Sequence, residues 1–482
     1  MSGTLDSPIQ PGLDNSGLRR SIYGLLIAAA AGMVLGRLFN TVYLFEPWVG
    51  TWPAERPATY PTLSSNDRSR WATIRALVDH GTYVVGKRRV TDPETGKYED
   101  TGIGFEQGFA GVDYVLNPHT HEFFSSKPPL LATLLAGPYW LLQKLTGWTL
   151  ANQFTEVMRT LLVFVNVLPL VIYLALLSRM IERYGGSDWG RLYIMIAAAF
   201  GTLLTTFAVT LNNHLPAAFA TLFTTYLAMR VWNGESRWWT FPAAGLLAGL
   251  VVACELPAAA FSGLVFLMLL WKAPKPTLCG FVPAAALVAG AFVLTNYLAV
   301  GQLKPVYLFQ FVNNPNDPNY GWYHYPGGYW QDKIPGIDGA REPKHVYAFH
   351  ALIGHRGIFS LSPIFLLSLW GGWLACRKDH PLRPWALLTA VVSVIVVTFY
   401  IVNTNNYGGN SSGLRWTFWL IPLWLLLMLP AADRLAQCRR GRAAGLVLLA
   451  FSALSAGFPT WNPWRPNWLQ RWLEYLELIQ YS

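Results

Sequence analysis

His121-Glu-Phe-Phe-Ser-Ser-Lys-Pro-Pro-Leu-Leu-Ala-Thr-Leu-Leu-Ala-Gly-Pro-Tyr-Trp140 sets one lysine, Lys127, against two prolines at the start of an apolar run. Whether residues 128–146 cross a membrane decides how every later segment is read. The chain of 482 residues is 53% hydrophobic and only 13% charged. Its apolar runs recur at about 17–25 residues, the length that spans a hydrocarbon core. Such a chain is a polytopic helical membrane protein, not a soluble globule. Runs near 21–45, 153–179, 190–211, 214–231, 238–254, 256–271, 277–299, 357–375, 383–402, 413–430 and 443–459 predict an all-α fold with about eleven transmembrane helices.

The basic residues orient it. Arg19/Arg20, Arg179/Arg183/Arg191, Arg230/Arg237, Lys272/Lys275, Arg377/Lys378/Arg383 and Arg434/Arg439/Arg440/Arg442 fall in one set of connections. The opposite set, around 212–216, at Glu255 and at 403–411, has none. Positive loops stay in the cytoplasm, so the amino terminus is expected inside and the carboxyl terminus outside, in the inner membrane if the source is bacterial. This holds only if 128–146 does not cross. Gly137-Pro138 stands in mid-run, where proline removes a hydrogen bond and clashes with the preceding turn. The segment therefore reads as a broken helix at the outer interface, with Pro128 and Pro129 in its first turn and Lys127 external.

The expected division is a cytoplasmic tail over 1–20, a first transmembrane helix over 21–45 and an external loop with interfacial helices over 46–152. Transmembrane helices two to seven then occupy 153–299, followed by an external loop over 300–356. Helices eight to eleven occupy 357–459, and an external amphipathic tail covers 460–482. Residues 238–271 read as a hairpin through Cys254-Glu-Leu-Pro257, because a single helix would put Arg237 and Lys272 on opposite sides.

The net charge of +10 is spread over short loops, which excludes a nucleic-acid patch. Cys254, Cys279, Cys376 and Cys438 lack framework or zinc spacing. His119 and His121, and His345, His350 and His355, lack the i,i+4 spacing of helical metal ligands. No cofactor is called for, and a divalent metal is left open.

Residues 66–79 carry Trp71, Ile74, Leu77 and Val78 at helical spacing. Ser65 or Asn66 can cap that helix, with Asp67 in a first turn that favours a carboxylate. The outer ends of other segments carry Lys127, Arg159, His214, Glu255, Arg356 and Arg415, and ionisable groups there are costly and often functional. Each has a plain reading. Asp67 caps, Arg159 and Arg415 snorkel to headgroups, His214 occupies a turn beside Asn212 and Asn213, and Glu255 pairs with an arginine. Together, one acid and several cations at one rim suit a lipid-linked phosphate and a hydroxyl to be deprotonated. The loop "NNPNDPNYGWYHYPGGY" over 313–329 offers Tyr320, Trp322 and His324 for stacking and hydrogen bonding to sugar.

Three stretches carry a resemblance: Asp67-Arg-Ser-Arg-Trp71, Phe124-Ser-Ser-Lys-Pro-Pro-Leu130 and Tyr407-Gly-Gly-Asn-Ser-Ser-Gly-Leu-Arg-Trp416. They resemble motifs of the GT-C superfamily of membrane glycosyltransferases, nearest its protein-O-mannosyltransferase and aminoarabinose-transferase-like (ArnT-like) branch. The resemblance implies a polyprenyl-phosphate sugar as donor, a lipid, glycan or protein acceptor, and transfer outside the membrane. It implies Asp67 as catalytic base and Lys127 on the donor phosphate, with Arg159 matching a family arginine loosely. Arg356 and Arg415 would join Lys127 on the leaving phosphate, and Arg70, His214, Glu255 and Tyr407 are candidate substrate contacts. The chain departs from the family in having Arg68 where an acid often follows Asp67. Two rivals share parts of this pattern. One is a glycan polymerase or ligase using a lipid-diphosphate carrier. The other is a transporter or flippase, which predicts mid-membrane charges and paired repeats.

Overall fold

A computed structural model describes residues 16–40, 60–92, 96–331, 334, 336–404, 406–459 and 462–481. Most of the amino-terminal tail, the outer end of the first predicted span, residues 46–59 of the first loop and Trp461 lie outside the described residues. In chain order the helices are α1 (Ser16–Asn40), α2 (Ser65–His80), α3 (Pro129–Thr146), α4 (Phe154–Tyr184), α5 (Asp188–Phe207), α6 (His214–Trp232), α7 (Thr240–Cys254), α8 (Leu256–Lys272), α9 (Pro274–Val300), α10 (Lys344–Leu352), α11 (Pro363–Ala375), α12 (Arg383–Asn403), α13 (Arg415–Leu435), α14 (Arg439–Gly457) and α15 (Trp468–Tyr475). Among the described residues, α1, α4, α5, α9, α12 and α13 are long and apolar enough to cross a membrane, and α7, α8 and α11 are shorter apolar helices. The chain is a multi-pass helical membrane protein.

Two expectations about the first loop are corrected. The segment after Lys127 is one continuous helix through Pro138, not a broken one. An internal proline costs roughly 3 kcal/mol, but packing holds the helix on both sides of it. Leu135 and Tyr139 are buried, and the Tyr139 hydroxyl donates to Asp79 Oδ1 (3.2 Å) and accepts from Leu150 N (2.9 Å). The loop is also not all-helical. Strands β1 (Gly86–Asp92), β2 (Lys97–Thr101), β3 (Tyr114–Leu116) and β4 (Glu122–Ser125) form an antiparallel sheet in the order β2-β1-β4-β3. Its edge packs so closely that a Cβ on Gly102 (φ +108°) would stand 2.6 Å from Gly86 Cα. The β1–β2 strands are charged and short, so hydropathy alone does not separate them from loop.

Helices α7 and α8 do form a hairpin. Glu255 is extended (φ −139°, ψ 94°), and Ser262 Oγ donates to Ala248 O at 2.9 Å across the bend. In one straight helix those residues would lie about 20 Å apart. Helices α7 and α9 touch backbone to backbone at Gly245, where a Cβ would collide with the Phe281 carbonyl. Gly245→Ala is therefore expected to lower the thermal stability of the detergent-solubilised protein by about 1–3 kcal/mol. An unchanged melting curve would show that the helices can part without loss.

A candidate anion and acid–base site at one end of the bundle

The β3–β4 hairpin builds the first part of the site. Tyr114 pairs with Ser125, so Asp113, just before β3, faces Ser126 and Lys127, just after β4. Lys127 Nζ donates to Asp113 Oδ1 at 2.6 Å, and Ser126 Oγ lies 3.4 Å from the same oxygen. No hydrogen bond to Oδ2 forms among the described residues. Burial alone would push the Asp113 carboxyl up. The charge and hydrogen bond of Lys127, joined by Arg415 and Arg70, outweigh burial and hold it below its ordinary value. Burial in turn pushes the Lys127 ammonium down, against the pull of Asp113.

Asp67 has a different setting. Ser64 caps α2 in a reciprocal capping box with Asp67. Asp67 Oδ1 accepts from Ser64 N (2.9 Å) and Ser64 Oγ (3.3 Å), and Oδ2 accepts from Leu63 N (3.0 Å) and Thr210 Oγ1 (2.9 Å). These four bonds occupy the lone-pair sites a carboxylate offers. Its side chain is fully buried, and burial, against those hydrogen bonds, holds its carboxyl above the ordinary range. Asp67 and Lys127 thus share no hydrogen-bond partner.

Arg70, one turn further along α2, lies within electrostatic reach of both acids. It donates to Asn66 O at 2.8 Å, to the Asn66 side chain, and to Asn213 Oδ1 at 2.7 Å. From there a polar chain crosses the bundle. Asn213 Nδ2 donates to Glu255 Oε1 (2.8 Å) and Cys254 O (2.9 Å), and Tyr400 OH lies 3.4 Å from Glu255 Oε2. His214 Nδ1 bonds Glu255, and Arg415 Nη1 meets His214 Nε2 at 3.3 Å. A guanidinium can only donate, so Nε2 is the acceptor and Nδ1 carries the proton toward Glu255. Arg415 also donates to Gly408 O (2.9 Å) and sits 4.7 Å above the Trp464 ring.

Arg356 is the outlier. Its side chain is fully buried, and Nε, Nη1 and Nη2 have no hydrogen-bond partner among the described residues. Burial pushes its guanidinium down to about 10, so it is still charged at neutral pH. It lines a groove whose other walls include Leu203, Ile358, Phe365, Leu414, Phe418 and Trp424. Asp338, a carboxyl held above the usual range by burial, lies within electrostatic reach of Arg415, Lys127 and Arg356. A narrower cleft lined by Leu131, Leu134 and Leu250 reaches Arg70 and Asn213.

Of the remaining candidates, Tyr407 lies within electrostatic reach of Arg356, while Arg159, Tyr320, Trp322 and His324 make their contacts elsewhere. Arg159 lies 5.7 Å from the Phe39 ring on α1, and its Nε has no hydrogen-bond partner among the described residues. Tyr320 stacks on His324 at 4.1 Å, while Trp322 is buried against Phe124 and Phe309. Tyr407 is buried, bonds Glu342 and stacks on Tyr347 at 4.6 Å. Among the described residues no group of three His, Cys, Asp or Glu side chains is placed to hold a metal ion.

Sequence reading missed Asp113, Asp338 and Asn213. A signal for Asp113 exists: Tyr114-Val-Leu116 and Glu122-Phe-Phe-Ser125 flank a five-residue turn, and in a hairpin the positions just outside must meet.

No family model matches the chain, and no curated protein matches it. It is similar to solved structures of two proteins. One is ArnT from Cupriavidus metallidurans bound to undecaprenyl phosphate, 14% identical with a TM-score of 0.46, covering 92% of this chain and 65% of that one. The other is the archaeal oligosaccharyltransferase AglB from Archaeoglobus fulgidus in complex with an inhibitory peptide and a dolichol-phosphate. It is 12% identical with a TM-score of 0.45, covering 95% of this chain and 58% of that one. The chain spans less than two thirds of the length of either.

Proposed function

We propose that this protein is an integral-membrane glycosyltransferase that moves a sugar from a polyprenyl-phosphate donor to an acceptor hydroxyl on the extracytoplasmic side. The observation that carries this reading is Arg356, a buried charge without a hydrogen-bond partner among the described residues, which lines an apolar groove and lies within electrostatic reach of Asp338, as Lys127 and Arg415 do. An unpaired guanidinium in a low-dielectric site costs several kcal/mol. A phosphate on an apolar tail supplies the missing anion and fills the groove. In this reading α1, α4–α9 and α11–α14 cross the membrane, α2 and α3 lie at the outer interface, and the amino terminus is cytoplasmic.

The chemistry follows from charge. Lys127, Arg356 and Arg415 take the donor phosphate, with Arg70 behind them. When Lys127 leaves Asp113 for the phosphate, Asp113 loses the cation that depresses its basicity. Its carboxylate accepts the acceptor hydroxyl's proton as that oxygen attacks the anomeric carbon, and the carbon–phosphate-oxygen bond breaks to release polyprenyl phosphate. The cations stabilise the departing charge. Asp113 replaces Asp67 as the proposed base, because every lone-pair site of Asp67 is engaged.

One observation favours a second reading. Four cations exceed what a single phosphate requires and suit a diphosphate, the carrier of a glycan polymerase or ligase. Melting the full-length protein with polyprenyl phosphate, polyprenyl diphosphate or the parent alcohol separates the cases. Lipid phosphate at a hundred times its Kd is expected to stabilise by about 2.7 kcal/mol, and the alcohol far less. Equal shifts from phosphate and alcohol would remove the anion site. Mass spectrometry of the product then distinguishes one added sugar from a chain.

A further inference from the structure

A separate cavity lies at the opposite end of the bundle from Lys127. It holds about 750 Å³ between the start of α1 and the carboxyl ends of α4 and α6. His214 opens α6 on the side of the Lys127 site, and Arg230 near its other end lines this bowl, roughly 24 Å along the axis. Arg20, Arg179, Arg183 and Arg230 face Glu182 and Glu235 across it. The acids are already engaged. Glu182 accepts from Arg19 through both oxygens (3.0 and 2.9 Å) and from Tyr23 OH (2.6 Å), and Glu235 accepts from Arg183 (2.6 Å). Arg230 is used on the Glu235 carbonyl at 3.0 Å.

Arg20 and Arg179 therefore have no carboxylate partner among the described residues. The two helix carboxyl ends contribute roughly half a negative charge each. That is not enough to cancel the two arginines the acids leave over. Tyr23, Tyr184, Tyr226, Met180 and Met229 line the rest of the bowl, and α1 carries the exposed Leu18 and Leu25 beside it. A basic bowl with aromatic walls, opening beside an apolar membrane helix, suits a phosphate group already attached to acyl chains.

We infer that this bowl binds the headgroup of an anionic glycerophospholipid, with Arg20 and Arg179 on its phosphate. The inference stands without the proposed transferase activity, and its readout is lipid retention, not sugar transfer. Full-length protein is purified in detergent, supplied with phosphatidylglycerol or phosphatidylcholine, and weighed with its bound lipid by native mass spectrometry. Phosphatidylglycerol is expected to be retained selectively. Arg20→Gln with Arg179→Gln should weaken retention by roughly thirtyfold, on the scale of surface arginines near a membrane. Arg20→Lys with Arg179→Lys should keep it, which guards against a folding defect. Unchanged retention in the glutamine pair would overturn the inference. So would equal retention of the zwitterionic lipid, or displacement by soluble glycerol phosphate at equal concentration, which would mark the bowl as a site for a soluble anion.

Discussion

Arg356→Met is expected to raise the melting temperature of the ligand-free protein while abolishing transfer. Arginine and methionine are of similar length, and the arginine here is fully buried with no hydrogen bond from its guanidinium among the described residues. Replacing buried charge by apolar volume commonly stabilises by about 1–4 kcal/mol. The same change removes a cation from the proposed leaving group, worth roughly 10²–10³ in rate. It also removes the cation that anchors lipid phosphate, so stabilisation by that lipid should vanish. Scanning calorimetry and a transfer assay with lipid-linked sugar check both halves. A variant that melts lower and still transfers at the parental rate would show that Arg356 is structural.

Asp113→Asn is expected to lower kcat by about 10²–10⁴, the usual range for a general base, and to leave the fold intact. Asp67→Asn should do the reverse. An amide cannot accept from Leu63 N, Ser64 N and Thr210 Oγ1 together, since one of its ends only donates. The variant is expected to lose about 1–3 kcal/mol of stability and to keep most of its rate per folded molecule. The pH profile tests the same assignment without mutation. The acid limb of kcat/KM reports the base in the free enzyme. Lys127, Arg415 and Arg70 outweigh burial and hold the Asp113 carboxyl below its ordinary 3.8, so that base stays ionised and the limb lies below pH 3.8. Burial holds Asp67 above 3.8, so a limb above that value would return the role to Asp67.

How far the sequence could be read depended on the range of the interaction concerned. The apolar runs appear as helices because twenty consecutive apolar residues in lipid must satisfy their own backbone. The Lys127-Pro-Pro junction begins a helix as expected, because proline fits a first turn. The Cys254–Pro257 break folds back because Glu255 is extended ahead of Pro257. Pro138 misled because propensity is local, whereas Tyr139 is pinned by Asp79 and Leu150. The charged strands β1 and β2 escaped because they bury too little for periodicity to show.

Hydropathy and proline geometry are properties of neighbouring residues, and they were enough to class the chain as a helical membrane protein and to set Lys127 at a helix start. Which acid meets that lysine is a matter of distance through space. A hairpin carries Asp113 to Lys127 across fourteen positions, while Thr210, 143 positions away, fills the last lone pair of Asp67. That no hydrogen-bond acceptor meets the Arg356 guanidinium among the described residues is likewise invisible along the chain, because it depends on where distant carbonyls and carboxylates are placed.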